Sequence, residues 1–410
     1  MFMASKRPRP GSLRRVIAYL GPAFVVAVAY VDPGNLATNV TAGSRFGYAL
    51  LWVIIVANVM AMLIQYLSAK LGLATGRNLS EHCRDAFPRP VTVGLWLQAE
   101  LVVIVTDLAE VVGGAVALQL LFGIPLLPGA LLTVVGMLVI MICQHRGRRQ
   151  FEAAICALLT VVLVAFVVQA LAVGVRVPAA VAGLLPTLST TDSAVLAVGI
   201  VGATVMPHAI YLHSALTQDL GDADTSDGAL RRAARATRTD VLVALSVAGA
   251  VNAAILLGAA SLQGHDVETL TGAQRAFGEV SGPLTATVFG VALLASSLAA
   301  TSVGVYSGQV VLQGFTRRRI PLWVRRCACV VPAVVVLASG VDATAALVLS
   351  QVVLSFGIPF AVVPLLRFTG DAQLMGVLVN GRAVRWSGAA VSALIIALNA
   401  YLVAATLHLV

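Results

Sequence analysis

The most informative stretch of the sequence is Asp32-Pro33-Gly34-Asn35, four residues that end the apolar run from Val16 to Val31. Pro33 has no N–H to donate, so the carbonyl of Ala29, four residues earlier, loses its helical partner. Gly34 lets the backbone leave the helical path, and Asp32 puts a carboxylate at membrane depth, where a charge is costly. These properties predict a broken membrane helix with a functional carboxylate at the break.

A second break of the same kind is predicted at Met206-Pro207-His208, where Pro207 frees the carbonyl of Ala203. Pro33 and Pro207 lie 174 residues apart. We interpret the two interrupted helices as the two halves of one binding site.

The composition is that of a membrane protein, because 59% of the 410 residues are hydrophobic and only 11% are charged. A soluble multidomain protein would carry far more charge. We predict an all-α polytopic protein with eleven spans, at residues 16–41, 49–72, 92–119, 127–144, 153–175, 193–216, 239–262, 282–306, 322–339, 343–366 and 387–407.

The net charge of +9 does not indicate nucleic-acid binding, because its distribution follows the predicted spans. With a cytoplasmic N-terminus, 24 of the 27 Lys and Arg residues fall on the inner side. This positive-inside bias predicts a multi-pass protein of the cell membrane with its N-terminus inside and its C-terminus outside. The basic start resembles a signal peptide, but cleavage would remove half of the first span, so we expect it to be retained.

The two breaks predict an inverted repeat, since each lies in the first helix of a block of five and an odd block reverses the direction of entry. We predict a basic cytoplasmic tail at 1–15, a first repeat at 16–175, an inverted second repeat at 193–366 and an accessory helix at 387–407. The charged segment from Asp219 to Asp240 is expected to be a solvated connector.

The third span is unusual because it contains three carboxylates, Glu100, Asp107 and Glu110. At helical spacing they lie within about 80° on one face. Three acids along one stripe of a membrane helix indicate a proton path. The alternative is that the boundaries of this span are wrong and that its acidic face is exposed to water.

The groups expected at the two breaks are the Asp32 carboxylate, the Asn35 amide oxygen, the Ala203 carbonyl and the Met206 thioether. Oxygen ligands with one soft sulfur suit a divalent transition metal, whereas Mg²⁺ and Ca²⁺ prefer all-oxygen sites. Core filling remains an alternative role for Met206, because methionine is a common gap filler.

These motifs closely resemble the NRAMP family of proton-coupled divalent-metal transporters, and the resemblance runs from about Leu20 to the last span. It is carried by the two break motifs, by Tyr211-Leu212-His213-Ser214, by Thr106-Asp107-Leu108-Ala109-Glu110, and by the stretch from Ser350 to Gly357. The resemblance implies a fold of the leucine-transporter type, with a 5+5 inverted repeat and broken helices one and six.

The resemblance also implies roles for individual residues. Asp32, Asn35, the Ala203 carbonyl and Met206 would bind the metal, with Gln351 joining in some conformations. The proton route would use His208, Asp107 and Glu110, with Glu100, Arg325 and Arg326 as further members of the polar network. The retained Met206 favours Mn²⁺ and Fe²⁺ as substrates.

The expected function is therefore import of Mn²⁺, and of Fe²⁺, together with protons. No cofactor, no nucleic acid and no obligate protein partner is expected beside the ions and the lipid bilayer. Two alternatives are a cotransporter of an organic substrate on the same architecture and a metal-dependent membrane enzyme. The soft Met206 argues against the first, and the lack of a His-Glu-x-x-His motif argues against the second.

Overall fold

The computed structural model describes residues 21–146, 148–220, 226–265, 267–318 and 322–406, without the side chains of 140–155, 302, 322–329, 405 and 406. The first half of the described chain forms α1 (Pro22–Ala29), α2 (Pro33–Phe46), α3 (Leu51–Thr75), α4 (Leu79–Ala86), α5 (Arg89–Phe122), α6 (Leu126–Arg146), α7 (Arg148–Val173) and α8 (Val177–Ala182). The second half forms α9 (Thr191–Thr204), α10 (Pro207–Thr217), α11 (Asp227–Ala259), α12 (Leu270–Ser281), α13 (Pro283–Thr316), α14 (Leu322–Ala338), α15 (Ala343–Thr369), α16 (Ala372–Met375) and α17 (Arg382–Thr406).

Helices occupy all eleven positions at which spans are predicted. Within the described residues, eight helical segments are long and apolar enough to cross a membrane, and the two halves of the second broken helix, α9 and α10, count there as one segment. The other three positions hold the pair α1 and α2, the helix α6 and the helix α14. The all-α polytopic prediction is confirmed.

Two helices extend well beyond the predicted spans. Helix α11 begins at Asp227 rather than at residue 239, and α13 continues to Thr316 rather than ending at residue 306. At the start of α11, Ser226 accepts from the N–H of Ala229, and the following Ala- and Arg-rich turns are good helix formers. The predicted solvated connector is therefore largely helical.

The expectation of a solvated connector is also wrong for Asp240, which is buried. Its carboxylate accepts hydrogen bonds from the N–H groups of Gly21, at 3.2 Å, and Ala23, at 3.0 Å. The Asp240 carboxylate takes the place of a local side-chain cap for α1, because Gly21 at its N-cap has no side chain. The start of the first broken helix is thus fixed to α11.

The two broken helices lie at the centre of the bundle. Helix α2 packs against α9, α11 and α15, and α1 packs against α10, α11 and α13. Helix α5 packs against α13 and α15, and α14 packs on α5. The core is therefore built around the two breaks, and the boundaries of the two repeats stay a prediction.

Candidate functional site

The first break spans Tyr30 to Asp32, between α1 and α2. Asp32 is the N-cap of α2 in extended conformation, and its Oδ1 accepts the N–H of Asn35 at 2.7 Å. Pro33 follows at the first helical position, where a missing N–H does no harm. Asp32 is only 1% exposed, so the cap holds a carboxylate inside the bundle.

Besides the Ala29 carbonyl, which Pro33 cannot serve because it has no N–H, this break also frees the carbonyls of Tyr30 and Val31. The chain leaves the helical path after Ala29, and the N–H of Asn35, which would have served Val31, is taken by Asp32. Ser296 of α13 donates to the Val31 carbonyl. Asn252 of α11 and Asn35 donate to the Tyr30 carbonyl at 3.0 Å and 2.5 Å. Side chains of α2, α11 and α13 therefore satisfy the freed carbonyls of Tyr30 and Val31.

The second break lies at Val205 and Met206, between α9 and α10. Met206 has extended backbone, with φ −65° and ψ 121°, and makes no side-chain cap. Pro207 again occupies the first helical position. Met206 is fully buried.

The two breaks meet each other and α15. The Asn35 Nδ2 lies 3.5 Å from the Ala203 carbonyl, and the Gln351 Nε2 lies 3.4 Å from Asp32 Oδ2. Asn35, Ala203 and Gln351 are each fully buried. The structure therefore brings together four of the five predicted metal ligands by direct contact, with Met206 three residues beyond Ala203.

Two glycines permit this approach. A Cβ on Gly34 would lie 1.8 Å from Gln351 Nε2, and a Cβ on Gly202 would lie 2.0 Å from the Gln351 carbonyl. A larger residue at Gly202 would push the backbone of α15 away from the second break, whereas one at Gly34 would displace the Gln351 side chain. Gly34 is the second residue of α2 and is helical, so the expectation that it lets the backbone leave the helix is wrong, and its role is the close approach of Gln351.

His208 lies directly after the second break and is buried. Its Nδ1 is 3.3 Å from Thr106 Oγ1 on α5, and that hydroxyl donates to the Val102 carbonyl at 2.9 Å. Since the hydroxyl proton is used, the Thr106 oxygen accepts from Nδ1–H. The other nitrogen of the ring, Nε2, is then the one that can take up a proton.

The predicted acidic stripe of α5 divides into a buried pair and an outlying member. Asp107 and Glu110 are buried, and a Cβ on Gly304 of α13 would lie within 3.0 Å of both carboxylates. Glu100 is partly exposed and accepts from the indole N–H of Trp96 at 3.2 Å. The pair Asp107 and Glu110 therefore faces α13, adjacent to the Thr106 contact with His208.

Arg325 and Arg326 belong to α14, which packs on the helix that carries the acids. Their side chains lie outside the described part of the chain. Their predicted role in the polar network stays a prediction.

Sequence reasoning missed a polar chain that starts at the first break. Gln65 Nε2 donates to the Tyr30 hydroxyl at 2.7 Å, and His213 Nδ1 donates to Gln65 Oε1 at 2.9 Å. All three side chains are buried. The available signal was weak, since it consisted of single polar residues in three separate apolar helices.

The predicted metal ligands offer one carboxylate together with neutral donors. Within the described residues, no three His, Cys, Asp or Glu side chains are grouped as in a resident metal site. A site of mixed oxygen donors and one thioether suits a divalent transition ion. A low ligand charge also favours release, which transport requires as much as binding.

The chain is similar to one well-defined family. A family model described as natural resistance-associated macrophage protein-like, or Nramp, matches residues 23–405. A divalent metal cation transporter MntH of Bacillus subtilis is 49% identical over 397 residues, which cover 96% of this chain and 93% of the relative. A transporter of the same name from Pectobacterium carotovorum is 46% identical over 398 residues, with 95% of each chain covered.

Solved structures give the same result. The manganese transporter of Eremococcus coleocola superposes with a TM-score of 0.86 at 31% identity, over 97% of this chain and 88% of that chain. Mhp1, a nucleobase-cation-symport-1 family transporter, superposes with a TM-score of 0.62 at 15% identity, over 95% and 93% of the two chains. This second likeness concerns the fold alone and confirms the leucine-transporter type.

Proposed function

The chain belongs to the Nramp family, and on that premise we propose that it imports divalent transition-metal ions, Mn²⁺ and also Fe²⁺, together with protons. The relatives named above are divalent metal cation and manganese transporters. Transport would proceed by alternating access around a site at the middle of the membrane. The metal is the substrate here rather than a cofactor.

One observation carries the proposal, which is the direct contact of the two breaks inside the bundle. A carboxylate on Asp32, amides on Asn35 and Gln351 and the Ala203 carbonyl contact one another within 3.5 Å and are shielded from solvent. Groups that lie this close together can converge on a single ion, whereas an organic substrate would have to separate them widely. This favours the metal carrier over the organic cotransporter.

The donor set also favours a transition metal over an alkaline-earth ion. In the proposed site, Asp32, Asn35, the Ala203 carbonyl and Gln351 supply oxygen, and Met206 supplies sulfur. Mn²⁺ and Fe²⁺ accept such a mixture, whereas Mg²⁺ and Ca²⁺ gain little from a thioether.

We assign the proton route to His208, Asp107 and Glu110. An arriving divalent ion favours the deprotonated forms of nearby groups, so a proton on Asp32 or His208 would leave. Thr106 joins His208 to the segment of α5 that carries both acids. Glu100, about two turns before Asp107 on α5, and the two arginines of α14 would extend the route.

The chain is a multi-pass membrane protein, and we assign it to the cell membrane with its N-terminus in the cytoplasm. The distribution of Lys and Arg supports that orientation. A negative interior then assists entry by about 2.3 kcal/mol per unit charge at 100 mV.

The test is simultaneous measurement of Mn²⁺ uptake and lumenal pH in proteoliposomes that contain only this protein. We expect uptake to acidify the lumen and to accelerate at mildly acidic external pH. Competition by Fe²⁺ and Cd²⁺, but not by Mg²⁺ or Ca²⁺, is expected. In the same assay, Asp107→Asn should lower the proton flux more than the metal flux.

The outcomes separate the rival functions. Metal entry without proton movement would make the protein a uniporter and reduce the acids of α5 to a structural network. No metal entry at all would contradict the proposed function and leave the organic cotransporter and the membrane enzyme as the alternatives.

A further inference from the structure

Asn39 lies one helical turn after Asn35 on α2 and is fully buried. Its Nδ2 donates to Asn35 Oδ1 at 2.7 Å. We propose that Asn39 is a positioning residue that lets the Asn35 amide turn between one orientation for the empty site and another for the metal-bound site. This inference rests on the proposed function, because it takes Asn35 as a metal ligand.

In the structure, the side-chain amide nitrogen of Asn35 points towards the site. Nδ2 donates to the Tyr30 carbonyl at 2.5 Å and lies 3.5 Å from the Ala203 carbonyl, while Oδ1 is turned away to Asn39. An amide NH₂ group repels a cation and cannot be a ligand. The Asn35 amide must therefore turn over before its oxygen can bind a metal.

The carbonyls of Tyr30 and Ala203, which the Asn35 amide nitrogen now faces, do not need this contact once a metal is present. The Tyr30 carbonyl keeps its hydrogen bond from Asn252 at 3.0 Å. The Ala203 carbonyl would face the cation instead. Without a cation, the turned Asn35 oxygen would face these two carbonyl oxygens and be repelled, so the metal itself decides the orientation.

Asn39 can follow this turn because an amide is both donor and acceptor. Its Oδ1 is buried and has no hydrogen-bond partner among the described residues. If both amides turn over, Asn35 Nδ2 donates to Asn39 Oδ1. One hydrogen bond then joins the two side chains in either orientation, so the turn loses no contact between them.

The Gln351 amide has the same orientation as the Asn35 amide, with its nitrogen towards the site. Gln351 donates through Nε2 to Asp32 and to Ser350 Oγ, and its Oε1 is buried without a partner among the described residues. Gln351 is already a predicted ligand, whereas the Asn39 side chain has its hydrogen bond, among the described residues, with Asn35. Asn39 therefore acts through Asn35 alone.

The experiment compares three variants of the full-length protein, with Mn²⁺ binding measured by calorimetry and uptake measured in proteoliposomes. Asn39→Leu removes both donor and acceptor at similar volume. Asn39→Asp keeps the acceptor and removes the donor. Thr38→Val is the matched control, since the neighbouring Thr38 hydroxyl donates only within its own helix, to the Gly34 carbonyl at 2.8 Å.

We expect Asn39→Leu to weaken Mn²⁺ binding and raise KM about tenfold, as is usual for lost partners of metal ligands, with the maximal rate within about twofold of the parent. Asn39→Asp should bind at least as tightly as the parent, because a group that only accepts holds Asn35 with its oxygen towards the metal. Thr38→Val should bind as the parent does.

Parental affinity in Asn39→Leu, or equal weakening in Asn39→Leu and Asn39→Asp, would overturn the inference and leave Asn39 a packing residue. Should Asn39→Leu fail to fold, weakened binding by Asn39→Asp alone overturns it. These results differ from failure of the proposed function, in which the parent protein itself binds no Mn²⁺.

Discussion

The two broken helices have similar sequence motifs, but the backbone carbonyls freed at the two breaks differ in their hydrogen-bond partners. At the first break, Asn252 and Ser296 from two other helices donate to the carbonyls of Tyr30 and Val31, and Asp32 caps the helix that follows. The freed carbonyls of Tyr30 and Val31 therefore have partners that are part of the fold.

The second break has fewer such partners. Met206 makes no side-chain cap, and the Ala203 carbonyl receives one long contact of 3.5 Å from Asn35. The hydroxyl of Thr204 is buried and has no hydrogen-bond partner among the described residues.

This difference distinguishes polar groups that stabilise the fold from polar groups that are available to a substrate. Polar groups satisfied by the protein fix the shape of the first break, while incompletely satisfied groups at the second break are available to a substrate. Asp32 connects the two, because one oxygen caps α2 and the other faces Gln351. The predictions below test this contrast, from the largest expected effect to the smallest.

Asp32→Ala should abolish Mn²⁺ uptake in proteoliposomes. Asp32 is the only formally charged group of the proposed site, so its loss removes the main attraction for the cation. Asp342→Ala is a matched control, since Asp342 also caps a helix, with the N–H of Ala345 at 2.8 Å, but lies outside the site. Uptake at the parental rate in Asp32→Ala, or equal loss in both variants, would contradict the assigned site.

Met206→Ala should keep a reduced Mn²⁺ uptake but lose discrimination against Ca²⁺ and Mg²⁺. A thioether favours softer ions, and its removal leaves an oxygen site that alkaline-earth ions tolerate. Met137→Ala removes another buried thioether, on α6, and should leave selectivity unchanged. If competition by Ca²⁺ is the same in the parent and in Met206→Ala, the sulfur only fills the core.

Ser296→Ala should lower the stability of the protein by about 1–3 kcal/mol, because it leaves the buried Val31 carbonyl without this donor. Thr204→Val at the second break should have little effect, since its hydroxyl makes no hydrogen bond within the described residues. Thermal unfolding of the purified proteins in the same detergent measures the stability of both variants. Equal losses of stability would remove the distinction between the two breaks.

The smallest effect concerns α4, which is fixed to the second broken helix by a hydrogen bond of 3.0 Å from the Leu79 N–H to Ser214 Oγ. Burial, and then the nearby Arg77, lower the pKa of His82 to about 4, although Asp85 acts in the opposite direction. The unfolded chain therefore binds a proton between about pH 6.5 and pH 4 that the folded chain does not, so folding is weakened as the pH falls through this window.

The melting temperature of the parent should accordingly fall more between pH 7 and pH 5 than that of His82→Gln. Identical slopes in the two proteins would show that His82 is not the group responsible. The sign is opposite to that of a histidine stabilised by a carboxylate, whose contribution would grow on acidification.

Much of the fold could be predicted because its signals are local. Apolar runs and the placement of Lys and Arg gave all eleven helical positions, and Pro33 and Pro207 gave the breaks. The start of α11 and the end of α13 were misplaced, because the first turns of α11 and the last turns of α13 lie outside the predicted apolar runs. The likeness to Mhp1 confirms the fold class, and the roles of the individual site residues stay predictions.

The partners of the breaks could not be predicted in this way. Asn252 and Ser296 lie 222 and 265 residues from the carbonyls they serve, and Asp240 lies more than 200 residues from the helix it caps. Each lies in a long helix, and nothing in its local sequence says what it contacts. The same holds for Thr106 beside His208 and for Asn399, which exchanges hydrogen bonds with Ser355.

The sequence by itself determined where the membrane helices run, where two of them break and which ligand types occur at the breaks. These follow from hydropathy and from the missing N–H of proline, which act within a few residues. Only the tertiary structure decided which freed carbonyls are satisfied and which amide faces the site. Hydrogen bonds between distant helices depend on packing, because a buried polar group must find a partner wherever the fold places one.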